Sequence, residues 1–109
     1  MTEYLKADRA IIKDLCLHYS LEYDKMTTAT CRLQQYIFVK YAIIEILRFK
    51  GKRKTVYLAD LFGYVSHDVI VKAHKKHDDW YCRDYTYTDI FNTIQSYFKI
   101  NKPKFYEPF

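Results

Sequence analysis

The side chains whose types and spacing could do chemistry are concentrated in one stretch, residues 60–77, which reads DLFGYVSHDVIVKAHKKH. Lys72, Lys75 and Lys76 fall within little more than a helical turn, while Ile70 and Ala73 recur at a spacing of three, so the lysines leave the apolar side free to pack. Ser66 is a residue type that caps helix starts. His67 and Asp68 follow it with an imidazole and a carboxylate. A cationic helix of this kind holds a polyanion. His67, in the first turn, can donate to a phosphate or a base edge, aided by free backbone N–H groups and the positive helix end; the plainer role is a polar residue facing water. Gly63, one of two glycines, stands just after an apolar run and three residues before Ser66. Helix, glycine turn and capped basic helix together make the sequence form of a helix-turn-helix, whose second helix can enter the DNA major groove.

Other chemistries fit poorly. His74, His77, Asp78 and Cys82 form the single metal-like cluster, but a tetrahedral zinc site needs about four converging ligands, and Cys16 and Cys31 are remote with no CxxC spacing. Gly51-Lys52 beside Thr55 lacks the second glycine and the adjacent Lys-Ser/Thr pair of a phosphate-binding loop. No nucleophile elbow or recognisable Cys/His pair is present. The expectation is a protein that is not an enzyme and has no cofactor, metal or small-molecule substrate.

The elements that must carry these residues are helical. The chain has 109 residues, enough for one domain, and half are apolar, which excludes a disordered tail. Two glycines and two prolines cannot supply the turns of an all-β fold. The formal charge of +5 is compatible with a polyanionic partner without demanding one. Three unpaired-looking cysteines, no signal peptide and no apolar run of membrane-spanning length lead to an expected location in the cytoplasm of a bacterial or phage-infected cell, or inside a virus particle. Twelve tyrosines and seven phenylalanines fall mostly at helical spacing beside aliphatics and read as core.

About five helices are predicted. The first covers roughly residues 2–23, with Leu5, Ile12, Leu15, Cys16 and Tyr19 on its stripe, and could recruit a protein partner. Thr30 caps a second over 31–49, apolar on much of its circumference and stopped by Gly51. Thr55 caps a third over 56–62, and Gly63 ends it in the left-handed conformation. Ser66 caps a fourth reaching His77; 80–86 is a connector, and the fifth covers 88–99. Pro103 and Pro108 mark a tail whose Phe105, Tyr106 and Phe109 are expected to pack back.

Within 32–77 three segments stand in a particular order: IFVKYAIIEILR over 37–48, LADLFG over 58–63 and SHDVIVKAHKK over 66–76. This arrangement resembles the C-terminal DNA-binding domain of the bacterial chromosomal replication initiator family, DnaA, whose architecture is of the Trp-repressor type. The resemblance implies an all-α bundle with a helix-turn-helix that binds double-stranded DNA. His67 matches the family's base-contacting histidine, and Lys40 and the Lys50–Lys54 loop match basic positions near the phosphates. On this basis Ser66, His67, Asp68 and Lys72 are expected at base edges, and Lys40, Arg48, Lys50, Lys52, Arg53, Lys54, Lys75 and Lys76 at phosphates, with Arg53 and Lys54 leading. Four positions depart from the family pattern: its turn arginine is Val65, its aspartate before the histidine is Ser66, and its two following hydroxyl residues are Asp68 and Val69. No segment corresponds to the family's ATPase domain, so a stand-alone module of a phage or mobile element is expected, acting in replication or transcription control. The rival expectation is a protein–protein or virion structural module that keeps the fold without specific DNA binding.

Overall fold

The computed structural model describes residues 2–100, with side chains from residue 5 onward; among these residues it contains six helices and no strand. They are α1 (Thr2–His18), α2 (Tyr23–Met26), α3 (Gln34–Phe49), α4 (Thr55–Leu61), α5 (Asp68–Trp80) and α6 (Tyr85–Ile100). The all-α expectation holds. Phe105, Tyr106 and Phe109, expected to pack back, lie outside the described residues. No helix among the described residues is long and apolar enough to cross a membrane.

The additional helix arises because the predicted first helix breaks after His18. Ser20 takes φ 58, and the Leu21 N–H donates back to the Cys16 carbonyl at 2.7 Å. Glycine usually occupies such a left-handed closing position; with serine there, the apolar pattern runs on without a visible stop. The break turns the chain so that α2 can bury Met26 completely. The Tyr36 hydroxyl accepts from the Glu22 N–H at 2.8 Å and holds the turn against α3.

α3 is the central element. Phe38, Val39, Ala42, Ile43, Ile46 and Leu47 are all buried, around most of its circumference. Each of these side chains except the small Ala42 contributes about 1.5–3 kcal/mol of transfer free energy, which explains why this segment is interior. α5 and α6 pack along α3, and α4 packs against both α3 and α5. Phe38 meets Trp80 of α5 at 5.0 Å between ring centroids and Tyr87 of α6 at 5.4 Å, so much of the aromatic load sits in the junction of these three helices. α1 buries Ile12, Leu15 and Cys16, and the Tyr97 hydroxyl of α6 donates to Asp14 at 2.8 Å. Burial pushes the Cys16 thiol up to about 11, leaving it an unreactive packing group.

Several boundaries differ from the predicted ones. α3 begins at Gln34 with Leu33 at the cap, and Thr30 sits in the preceding turn. Thr55 is the first residue of α4, with Lys54 at the cap. Gly51 is not the left-handed residue after α3; Lys52 is, at φ 56. α5 continues to Trp80, Cys82 turns the chain at φ 69, and α6 starts at Tyr85 because Asp84 Oδ1 accepts from the Tyr87 N–H at 3.0 Å, an N-cap bond. The connector is therefore 81–84.

Candidate nucleic-acid interface

The turn between α4 and α5 is fixed from two sides. Gly63 has φ +79, and a Cβ on it would collide with the Thr27 carbonyl, so backbone conformation and close approach both require glycine. The next residue, Tyr64, donates its N–H to the Ala59 carbonyl at 2.8 Å and accepts at its hydroxyl from Lys40 Nζ at 3.2 Å. Lys40 Nζ also donates to the Thr28 carbonyl at 3.3 Å and lies 4.9 Å from the centre of the Tyr64 ring. Burial holds Lys40 below the ordinary lysine pKa and pushes Tyr64 up to about 12. Lys40, expected at a phosphate, is fully buried in the interior-facing part of α3. It ties the 27–28 turn to the 62–67 turn and cannot reach a polyanion.

Arg53 is a second correction. Its Nε and Nη2 donate to the two carboxylate oxygens of Asp8 at 3.0 and 3.1 Å, and its Nη1 donates to the Gly51 carbonyl at 2.7 Å. The Tyr57 hydroxyl donates to the same carboxylate at 2.6 Å. Both charged side chains of the pair are wholly shielded from solvent. A guanidinium bound bidentately to an interior carboxylate has no face left for DNA. Its role is to clip the loop after α3, and the start of α4, onto α1. The neighbours Lys52 and Lys54 are exposed, and Lys50 is half-buried.

α5 begins one residue later than Ser66 capping alone would give. His67 occupies the cap position without a side-chain cap bond, while Ser66 Oγ accepts from the Asp68 N–H at 3.1 Å. Ile70, Ala73 and His77 are buried against the body of the fold. Asp68, Val71, Lys72, Lys75 and Asp79 follow at spacings of three and four along the opposite side, and all are exposed, as are Lys76 and Asp78. The helix thus presents three lysines in its middle and three aspartates at its ends, a balanced set of charges. Lys76 Nζ lies 5.9 Å from the Trp80 ring centre. His67 is exposed at the mouth of a groove lined by Leu5, Arg9, Tyr64 and Val65, beside α1.

The flank of α5 joins the end of α3. The rings of Phe49 and His74 are 4.7 Å apart, and the Arg48 guanidinium carbon lies 4.8 Å over Phe49. This places Arg48 next to α5. Glu45, which sequence reasoning did not single out, is a central group here: its carboxylate lies 3.0 and 3.1 Å from His74 Nδ1 and 3.9 Å from His77 Nε2. Its signal in the sequence was an acid inside the apolar run IIEIL. His77 Nδ1 also pairs with the Tyr87 hydroxyl at 2.7 Å, and burial lowers the His77 pKa despite Glu45. His74 and His77 are thus engaged in holding α5 to α3 and α6. Among the described residues no set of three His, Cys, Asp or Glu side chains could hold a metal ion.

The structure therefore brings Ser66, Asp68, Lys72, Lys75 and Lys76 onto or beside one exposed helix, with Arg48 at its flank, and removes Lys40 and Arg53 to the interior. No family model, curated protein or solved structure matches the chain.

Proposed function

We propose that α4, the 62–67 turn and α5 form a helix-turn-helix of the DnaA kind, and that the chain binds duplex DNA with α5 in the major groove. The observation that carries this reading is the exposure of Lys72, Lys75 and Lys76 on a helix anchored from behind by Ile70, Ala73 and His77. Arg48, Lys52 and Lys54 add cations at the end of α3 and in the loop beyond it. In this reading Lys72 approaches base edges with Ser66, Asp68 and His67, while Lys75, Lys76, Arg48, Lys50, Lys52 and Lys54 contact phosphates. Val65, Ser66, Asp68 and Val69 replace the side chains through which the DnaA family reads its origin sequence, so the target differs from that site. The setting we infer for this binding is replication or transcription control in a phage or mobile element. Binding to random-sequence duplex at low salt, weakening steeply as salt rises, tests the proposal.

A specific observation favours a second reading. The exposed charges of α5 cancel, and Val65 and Val71 stand in solvent beside them. A protein–protein or virion module would use such a mixed surface. Failure to bind heparin and duplex DNA even at low salt decides for that reading.

A further inference from the structure

We infer that the groove between α1 and the α4–turn segment, continued by the basic face of α1, docks an acidic amphipathic helix of a partner protein. The inference goes beyond the duplex-DNA reading and does not depend on α5. The groove holds about 390 Å³. Ala59 and Leu61 line it and are buried, whereas Val56 and Val65, which also line it, are 65 % and fully exposed. Two aliphatic side chains held in water over the same apolar trough form a contiguous patch, unlike the scattered surface aliphatics that need no partner.

A second groove adjoins the first, sharing Leu5 and Arg9 with it and extending along α1 past Lys6, Ala10 and Lys13. Lys6, Arg9 and Lys13 recur at spacings of three and four on the exposed face of α1. Among the described residues Lys6 and Arg9 make no ion pair. The nearest acid of α1, Asp8, is buried against Arg53 and cannot neutralise them. Among the described residues Asp60 is the one acid lining either groove. This face therefore keeps a positive excess, where the charges of α5 cancel.

Charge complementarity selects the occupant. An apolar trough bordered by free cations matches a helix with one apolar stripe and carboxylates beside it. From Lys6 to Lys13 the basic stripe runs roughly 10 Å, two turns of such a partner helix. A second copy of this chain is a poor occupant, because a two-fold pairing through this face would set the three cations against their own copies. Duplex DNA would engage the cations but leave Val56 and Val65 against sugar and phosphate.

The test is selection by the full chain from a displayed library of random peptides about 15 residues long, four helical turns, followed by anisotropy titration of an enriched peptide. Enriched sequences should carry Asp or Glu at three-to-four spacing beside a stripe of Leu, Ile or Phe. Lys6→Glu/Arg9→Glu should weaken that peptide at least about tenfold, and Val56→Ser/Val65→Ser about tenfold or more. All four side chains are exposed, so both variants should keep the parent's urea midpoint. Lys72→Ala/Lys75→Ala/Lys76→Ala should bind the peptide as the parent does, so this face and the α5 surface stand or fall separately. Enrichment of no peptide, or only of peptides without acids, overturns the inference, as does unchanged affinity in either double variant. Loss confined to the charge variant, with random-sequence duplex displacing the peptide, also overturns it and assigns the face to nucleic acid.

Discussion

Arg53 and Lys54 are adjacent, equally charged and equally expected at phosphate, yet Arg53 is buried and Lys54 is exposed, and replacing each by alanine separates them. Arg53 donates twice to an Asp8 carboxylate that solvent does not reach, and the Tyr57 hydroxyl is the third donor to it. Arg53→Ala leaves an interior anion without its cation, a change that costs about 3–5 kcal/mol. For a domain near this size each kcal/mol moves the melting midpoint by roughly 4–8 °C, so a fall of at least about 12 °C is expected. Replacing both partners, as in Asp8→Leu/Arg53→Met, should recover much of that loss, because the interior charge and its desolvation are removed together. Lys54→Ala, in contrast, should change stability by less than about 0.5 kcal/mol and reduce the salt slope of duplex binding by about one unit. Urea denaturation followed by circular dichroism, with anisotropy titrations across salt, reads both quantities. An Arg53→Ala protein as stable as the parent, with the salt slope reduced instead, would refute the buried clip and return Arg53 to the surface.

Two further outcomes follow from the turn and from the histidine network. Gly63→Ala must place a Cβ against the Thr27 carbonyl at a positive φ, and should destabilise by about 1–3 kcal/mol or more; an unchanged urea midpoint would show that the turn is not packed this way. His77 has its pKa lowered by burial from the ordinary 6.5, so between its folded value and 6.5 the unfolded chain binds the extra proton. Its contribution to stability is intact above 6.5 and is lost as pH falls through the folded value. Stability should therefore drop on acidification below about 6.5, and His77→Gln should flatten that part of the profile; an identical profile in the variant would contradict the assignment.

What the sequence made legible was governed by local pattern. α3 could be read because Phe38, Val39, Ala42, Ile43, Ile46 and Leu47 surround the helix, and α5 because Ile70 and Ala73 recur at a spacing of three; the burial of His77 on the same side was not legible. Gly63 announced its turn because its conformation excludes other residues. The break after His18 and the turns at Lys52 and Cys82 were hidden, because Ser20, Lys52 and Cys82 adopt positive φ without being glycine. The same limit applied to the site. Lys72, Lys75 and Lys76 could be placed on an exposed face from periodicity alone. Lys40 and Arg53 looked like surface cations because nothing local reveals their partners: Asp8 is 45 residues from Arg53, and Tyr64 is 24 from Lys40. Long-range pairing decides whether a basic residue is a ligand contact or a structural tie. Glu45 was missed for the same reason: it is an acid inside an apolar run, and its partners His74 and His77 lie on another helix.

The proposal that α5 is a DNA-facing helix is tested most directly by the salt dependence of duplex affinity in the parent and in Lys72→Ala/Lys75→Ala/Lys76→Ala. The three lysines are exposed, so the variant should keep the parent's fold and urea midpoint. The account predicts that log Kobs falls linearly with log salt in the parent, and that the variant's slope is shallower by about two units, from Lys75 and Lys76, with weaker binding throughout. Equal affinity and equal slope in the two proteins, or no binding by the parent at low salt, would contradict it.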